Sequence, residues 1–359
     1  GSRSPPETDS LPRPCFAALK GKPKSTSETK GKNLMLLYGT ALSGIQMGLC
    51  YSVLALGLYI SYTILDFPDL SVDGTFPLGG VVCTILMLRL GFPPAAAVIL
   101  SSVAGIIAGA VTGFLHVRCR ISKLLSGIIV MTALLSVNLA LTKLLTKNGY
   151  TTTIFSYKSE NLTGLFGGRL ANLFGKAGKD YMTIAILLVF VIAVKLAIDL
   201  FMKTKLGYIL RSTGENERLV VCMGKDPGRY KILGIAAANG LVAMSGGLYC
   251  QLFSSYDNNS GSGKVVLALA SVIIGLALFS QVRRAKDTTA VIVGALIYGL
   301  LLNFLALADR EGIYLKLLNA VMFALILIFN DRLTAIGLRR KIKAPAEMPE
   351  SHTEWEKGE

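Results

Sequence analysis

Histidine is almost absent from this chain, His116 and His352 being the two in 359 residues. An acid-base or metal centre built on imidazole therefore has little material to use, and no metal or cofactor is expected. Charged residues are scarce as well, at 16% of the chain, so a large solvated surface is excluded. The six cysteines (Cys15, Cys50, Cys83, Cys119, Cys222 and Cys250) form no CxxC pair that would mark a redox or zinc site. They stand singly, mostly in apolar blocks, and read as small buried hydrophobes. Alternating polarity over segments of about ten residues is also missing, which excludes a membrane β-barrel.

Hydrophobic residues make up 52% of the chain, with a mean hydropathy of +0.56. They fall in unbroken blocks at 34–62, 75–90, 93–115, 124–146, 181–202, 232–252, 265–280, 288–308 and 314–330. Runs of about 20 apolar residues match a hydrocarbon layer ~30 Å thick. The expected fold is an all-α, polytopic membrane bundle of about eight or nine membrane elements. It occupies residues 34–330, between a basic, Ser/Pro-rich tail (1–33) read as disordered and a charged tail (331–359). Gly105, Gly109 and Gly113 recur at four-residue spacing in one block, as close helix packing in lipid favours.

The net charge of +15 does not point to nucleic acid, because the basic residues sit at block ends and in connectors and form no aromatic-interleaved face. They read as topology signals. Arg118, Arg120 and Lys123, the loop 203–231, Arg283, Arg284 and Lys286, and the cluster Arg339–Lys343 are placed in the cytoplasm, with both tails on the same side. From His116 onward the sides alternate without conflict. Before it they do not: two full spans after a cytoplasmic tail leave residue 91 on the wrong side. The stretch from Asp66 to Gly80 is dense in helix breakers and precedes a short apolar block. A broken or re-entrant element is expected there, since non-helical backbone at membrane depth needs a covering of protein or water.

The second half carries an echo. Gly44-Ile45 is followed by Gly57-Leu58-Tyr59, and Gly234-Ile235 at the same spacing by Gly247-Leu248-Tyr249. Each precedes an Asp/Gly-rich stretch and a short block, the pattern of interrupted helices along a transport path. Polar residues in or beside the blocks are candidates for that path: Asp66, Asp69, Asp73, Asn138, Asn239, Gln251, Asp257 and Asn303. Each also has a plain structural use, Asp73 as a helix cap and the amides as interhelical hydrogen-bond partners. Lys195 and Asp199 read as a surface ion pair with a snorkelling lysine. Gly261-Ser-Gly-Lys264 is not a phosphate-binding loop, because Asn258 and Val265 stand where that motif needs a glycine and a hydroxyl.

The loop from Ser212 to Gly234 lies between two spans and mixes charge with apolar residues. Leu219, Val220 and Met223 form one apolar face of a short helix that Gly224 and Pro227 would end. Here the chain resembles the permease subunits of bacterial ABC importers for branched-chain amino acids and ribose. Gly214-x-Asn216, Gly224 and Arg229-Tyr230 look like their ATPase-coupling loop, although Leu219-Val220 replaces the pair of alanines usual there. The run Leu210–Gly275, with Ala55–Tyr59, Asp69–Gly74 and Pro77–Gly80, is similar to a subgroup that includes proposed tryptophan and tyrosine permeases.

The likeness covers roughly residues 34–330. It implies a transport subunit without catalytic residues of its own, in the bacterial inner membrane, importing a small solute by alternating access. ATPase subunits, an extracytoplasmic solute-binding protein and a second permease copy are the implied partners. Gly214, Glu215, Asn216, Leu219, Val220, Met223, Gly224, Arg229 and Tyr230 are the implied coupling residues. An ion-coupled secondary transporter or channel is the rival reading, disfavoured by the few charges at mid-span. A membrane enzyme is disfavoured by the scarcity of histidine.

Overall fold

The computed structural model describes residues 26–143, 145, 153–154, 162–279, 286–308, 317, 319–326 and 328. Both tails, apart from the first helical turns, and most of the block at 314–330 lie outside them. Residues 1–39 form one unit, of which Thr26 to Gly39 is the start of a helix, and residues 40–359 form the second, described below.

The described chain is a polytopic helical bundle. Helix α1 (Thr26–Leu58) continues into a π-helical stretch (Tyr59–Ile64), followed by α2 (Val72–Leu88), α3 (Pro94–Val117), α4 (Lys123–Thr142) and α5 (Leu162–Met202). Two short helices come next, α6 (Lys205–Glu215) and α7 (Glu217–Cys222), then α8 (Pro227–Phe253), α9 (Lys264–Phe279) and α10 (Asp287–Ala308). Thr153–Ile154 pairs antiparallel with Tyr256–Asp257. Proline opens α3 and α8, where its missing N–H costs nothing, and Ser122, Thr204, Asn216 and Asp226 cap α4, α6, α7 and α8 with side-chain oxygens. Among the described residues seven helical segments are long and apolar enough to cross a membrane, and α2 is a shorter apolar helix.

Burial separates inner from outer helices. Within its most apolar window α8 is 72% buried and the α1 span 67%, whereas α5 is 22% buried and shows Val189, Leu196 and Leu200 outward. An inside-out exposure of this kind suits lipid as solvent. The glycine stripe works as expected: Gly105, Gly109 and Gly113 put α3 backbone against Asn239, Ile235 and Ile232 of α8, where a β-carbon would collide. Gly79 of α2 meets the Ala243 carbonyl and Gly246 of α8 meets the Phe76 carbonyl in the same way.

Contacts fix the direction of each helix. Gly44 and Gly48 pack on Leu300 and Leu296 of α10, while the Tyr59 hydroxyl donates to Asp287 at the start of α10, 3.0 Å away. Ile64 then touches Gly214 in the loop between α5 and α8. Helix α1 therefore runs toward the end of the bundle that holds this loop. The side-counting expectation that the first span starts on the loop's side is corrected: the mismatch at residue 91 came from the direction of α1. The break after α1 is present as well. Residues 65–71 turn back into the bundle, and α2 begins inside it.

Helix α9 begins inside the bundle too. Lys264 lies beside Tyr51, about 20 Å along α1 from Ile64 at ~1.5 Å per residue. With 17 and 16 residues, α2 and α9 are about 26 and 24 Å long, shorter than a ~30 Å hydrocarbon core. Their first turns meet through Asp73 and Val265, and Gly261, in the turn before α9, lies against the Asp73 carbonyl.

Candidate functional site

Two places gather the chemistry. At the loop end, α6 and α7 meet at Asn216, which ends one helix and caps the next by accepting from the Arg218 N–H at 3.1 Å. Gly214 lets the end of α6 press against the Ile64 carbonyl. The end of α7 is a left-handed glycine cap: Gly224 has φ +68°, its N–H donates to the Val221 carbonyl, and the Lys225 N–H reaches back to that of Val220.

Beside the exposed Glu217 and Arg218, α7 shows apolar side chains to solvent, with Leu219 and Met223 half exposed one turn apart and Val221 beside them. Val220, expected with them, is fully buried and anchors α7 to the bundle. The correction follows from helix geometry, since adjacent residues diverge by about 100° and only the i, i+4 pair shares an outer line. Glu215 is exposed, Arg229 pairs with Asp226, and Tyr230 packs against the main core. Lys231 bridges Glu217 across the loop. Cys119 and Cys222 are exposed, against the expectation of burial, while Cys50, Cys83 and Cys250 are buried.

Polar contacts tie this surface to the membrane helices. Arg211 of α6 lies 3.8 Å from Asp287 of α10, whose carboxylate also takes the Tyr59 hydroxyl. Lys195 and Asp199 are 3.2 Å apart as the i, i+4 spacing foretold, but Asp199 is more than half of a surface pair. It also accepts from Lys286 and Thr288, joining α5 to the start of α10. Tyr59, Asp199, Arg211, Lys286, Asp287 and Thr288 line a cleft of about 310 Å³.

The second place lies inside the bundle, where the short helices start. Asp69 is buried and accepts from the Ser71 N–H (2.8 Å) and from the Asn239 amide (2.6 Å); the Ser71 hydroxyl donates to the other atom of that amide. Asp69 and Asn239, far apart in sequence, thus form one cluster pinning the broken element to α8. Asp73 occupies the first turn of α2, and its two oxygens accept from the Gly263 and Val265 N–H groups at 3.0 and 2.9 Å. One carboxylate therefore sits at the positive ends of two helix dipoles.

The remaining candidates are spread out. Asn138 donates to the Gly74 carbonyl, Gln251 to Pro94 and to the sulfurs of Cys83 and Met87, and Asn303 to Gly299 and Met47. Asp66 is exposed at the loop end against Lys123, and Asp257 caps a short 3₁₀ turn at the opposite end.

Sequence reasoning passed over Lys264, which it treated only as part of a false phosphate loop. Its ammonium donates to the Tyr51 hydroxyl at 2.7 Å and stands 4.4, 5.1 and 5.2 Å from the ring centres of Tyr51, Tyr249 and Phe76. The signal that could have found it is a cation at the head of an apolar block with no acid within one helical turn.

The family described as branched-chain amino acid transport system / permease component matches residues 40–329. A tyrosine transport system permease protein of Clostridioides difficile is 38% identical over 281 residues, 78% of this chain and 88% of the relative. A probable branched-chain amino acid transport permease of Methanocaldococcus jannaschii is 25% identical over 297 residues, 80% and 89% of the two chains. The ribose import permease of Escherichia coli is 25% identical over 266 residues, 74% and 77%. No solved structure matches.

Proposed function

The chain belongs to this permease family of ABC transporters, and from that premise we propose that it is the membrane subunit of an ATP-driven importer for an amino acid, with aromatic amino acids the leading class. ATP is hydrolysed by a separate partner, an extracytoplasmic binding protein delivers the solute, and two permease copies form the path. The end bearing α6 and α7 faces the cytoplasm. Arg118, Arg120, Lys123, Lys203, Lys205, Arg211 and Lys286 gather there, as cytoplasmic connectors require. The solute class rests on the name of the tyrosine permease relative and its coverage of this chain.

The observation that carries the coupling role is the α7 surface. Leu219 and Met223 form an exposed apolar ridge on a helix held rigidly by buried Val220 and by the Gly224 cap. Such a ridge fits a hydrophobic groove of a soluble partner. Movement of the ridge passes to α1 through Gly214 and Ile64, and to α10 through Arg211 and Asp287. Asp66, Asp69, Asp73, Asn138, Asn239, Gln251 and Asp257 remain the proposed polar contacts of the path or its supports.

Co-purification with the cognate ATPase tests this reading. Leu219→Asp/Met223→Asp is expected to release the ATPase while the permease stays monodisperse. Wild-type protein that binds no ATPase would refute it.

A further inference from the structure

Lys264 is a charged residue in an unfavourable place. It is the first residue of α9, where the helix dipole is positive and a cation is disfavoured. It also lies inside the bundle, where an ammonium is costly. The nearby carboxylate, Asp73, accepts from the backbone N–H groups of Gly263 and Val265 and attracts the ammonium at longer range, with no salt bridge within 4 Å among the described residues. Among the described residues the Tyr51 hydroxyl is its hydrogen-bond acceptor, and three aromatic faces surround it. In the same segment the Ser260 hydroxyl is buried with no partner among the described residues.

The rings continue away from the cation. Tyr249 lies against Phe253 with ring centres 4.6 Å apart, and Phe253, at the end of the bundle opposite the loop, is 44% exposed. Tyr51 stacks on Tyr249 at 6.1 Å, and Phe76 meets Tyr249 edge-on at 5.5 Å. A line of aromatic faces thus runs from an exposed residue at the end opposite the loop to a cation in the interior.

We infer that this line is a solute contact selecting for a molecule that carries both a carboxylate and an aromatic ring. The ring stacks on Phe253 and Tyr249, and the carboxylate accepts from the Lys264 ammonium, supplying the direct hydrogen-bonding anion that Asp73, held by the Gly263 and Val265 N–H groups, does not. The inference rests on the importer reading and names the residues that recognise its solute.

The test uses the whole complex, permease with ATPase and binding protein, in proteoliposomes with radiolabelled L-tyrosine, L-tryptophan and L-leucine as probes. ATP hydrolysis stimulated by the binding protein is recorded beside uptake. Lys264→Met is expected to lower aromatic solute moved per ATP at least roughly tenfold while stimulated hydrolysis persists, and Lys264→Arg to restore most of it. Phe253→Leu is expected to lower tyrosine and tryptophan uptake several-fold.

An unchanged solute-to-ATP ratio in Lys264→Met overturns the inference. So does a parallel loss of uptake and hydrolysis that arginine rescues no better than methionine, because that pattern marks a structural residue. Leucine uptake without tyrosine or tryptophan uptake overturns the aromatic part. A wild-type complex without stimulated hydrolysis refutes the importer reading itself, a different failure read in a different channel.

Discussion

Two interrupted hairpins face each other across the bundle. In the first, α1 runs to the loop end, residues 65–71 turn inward, and α2 returns from the interior; in the second, α8 runs to the opposite end, residues 254–263 turn inward, and α9 returns. The two differ in the charge at the point where the short helix starts. The first carries Asp73, the sign that a helix N-terminus favours; it lies in the first turn of α2 and its side chain caps the start of α9, not of α2, whose cap position is Ser71. The second carries Lys264, the opposite sign, caged by rings. The carboxylate bonds the N-terminus of a helix directly, whereas the lysine is held by Tyr51, three rings and the longer-range pull of Asp73, with no salt bridge within 4 Å among the described residues.

The strongest way to break this comparison is to remove what the hairpins share. Gly79→Val and Gly246→Val, one on each hairpin, drive a side chain into the facing backbone of α8 and α2. Both are expected to cost at least the ~3 kcal/mol upper range of overpacking and to yield aggregated protein in size-exclusion chromatography. Tolerance of either would mean that the α2–α8 contact is looser than described.

Next in size is Asp73→Ala, which strips two backbone N–H groups of their charged acceptor and is expected to cost about 2–3 kcal/mol, read as a lower Tm in detergent. Asp73→Asn should lose about half as much. Gly263, with φ +80° and open space around it, joins the second junction to α9; Gly263→Ala is expected to cost about 1 kcal/mol of backbone strain. The smallest effect on stability is expected from Lys264→Met. Loss of a cation-π cluster and relief of an ill-placed charge oppose each other, leaving the Tm shift equivalent to within about 1 kcal/mol. A loss as large as that of Asp73→Ala would make the two junctions alike and erase the distinction.

Much of this architecture was legible from residue order. The apolar blocks correspond to α1 through α5 and α8 through α10, the glycine stripe at 105, 109 and 113 marks the α3–α8 contact, and the breaker-rich stretch at 66–80 marks the first junction. The candidate site was only partly legible. Leu219 and Met223 are exposed as their spacing implies, but Val220 points inward, because on so short a helix a one-residue error in phase turns a side chain to the other face. Lys264 was missed because its significance lies in Tyr51, Phe76 and Tyr249, which come from three other helices.

By itself the sequence determined that this chain lives in a membrane and where its apolar spans lie, since hydrocarbon thickness acts on consecutive residues, although α5 begins at Leu162, well before its apolar block at 181–202. It also carried the signature of the permease family across residues 40–329. Only the tertiary structure decided the direction of α1, the pairing of Asp69 with Asn239, the capping of α9 by Asp73 of α2 and the cage around Lys264. These depend on which helix faces stand opposite one another inside the bundle, a choice made by the close packing of glycine backbones that no local stretch of residues contains.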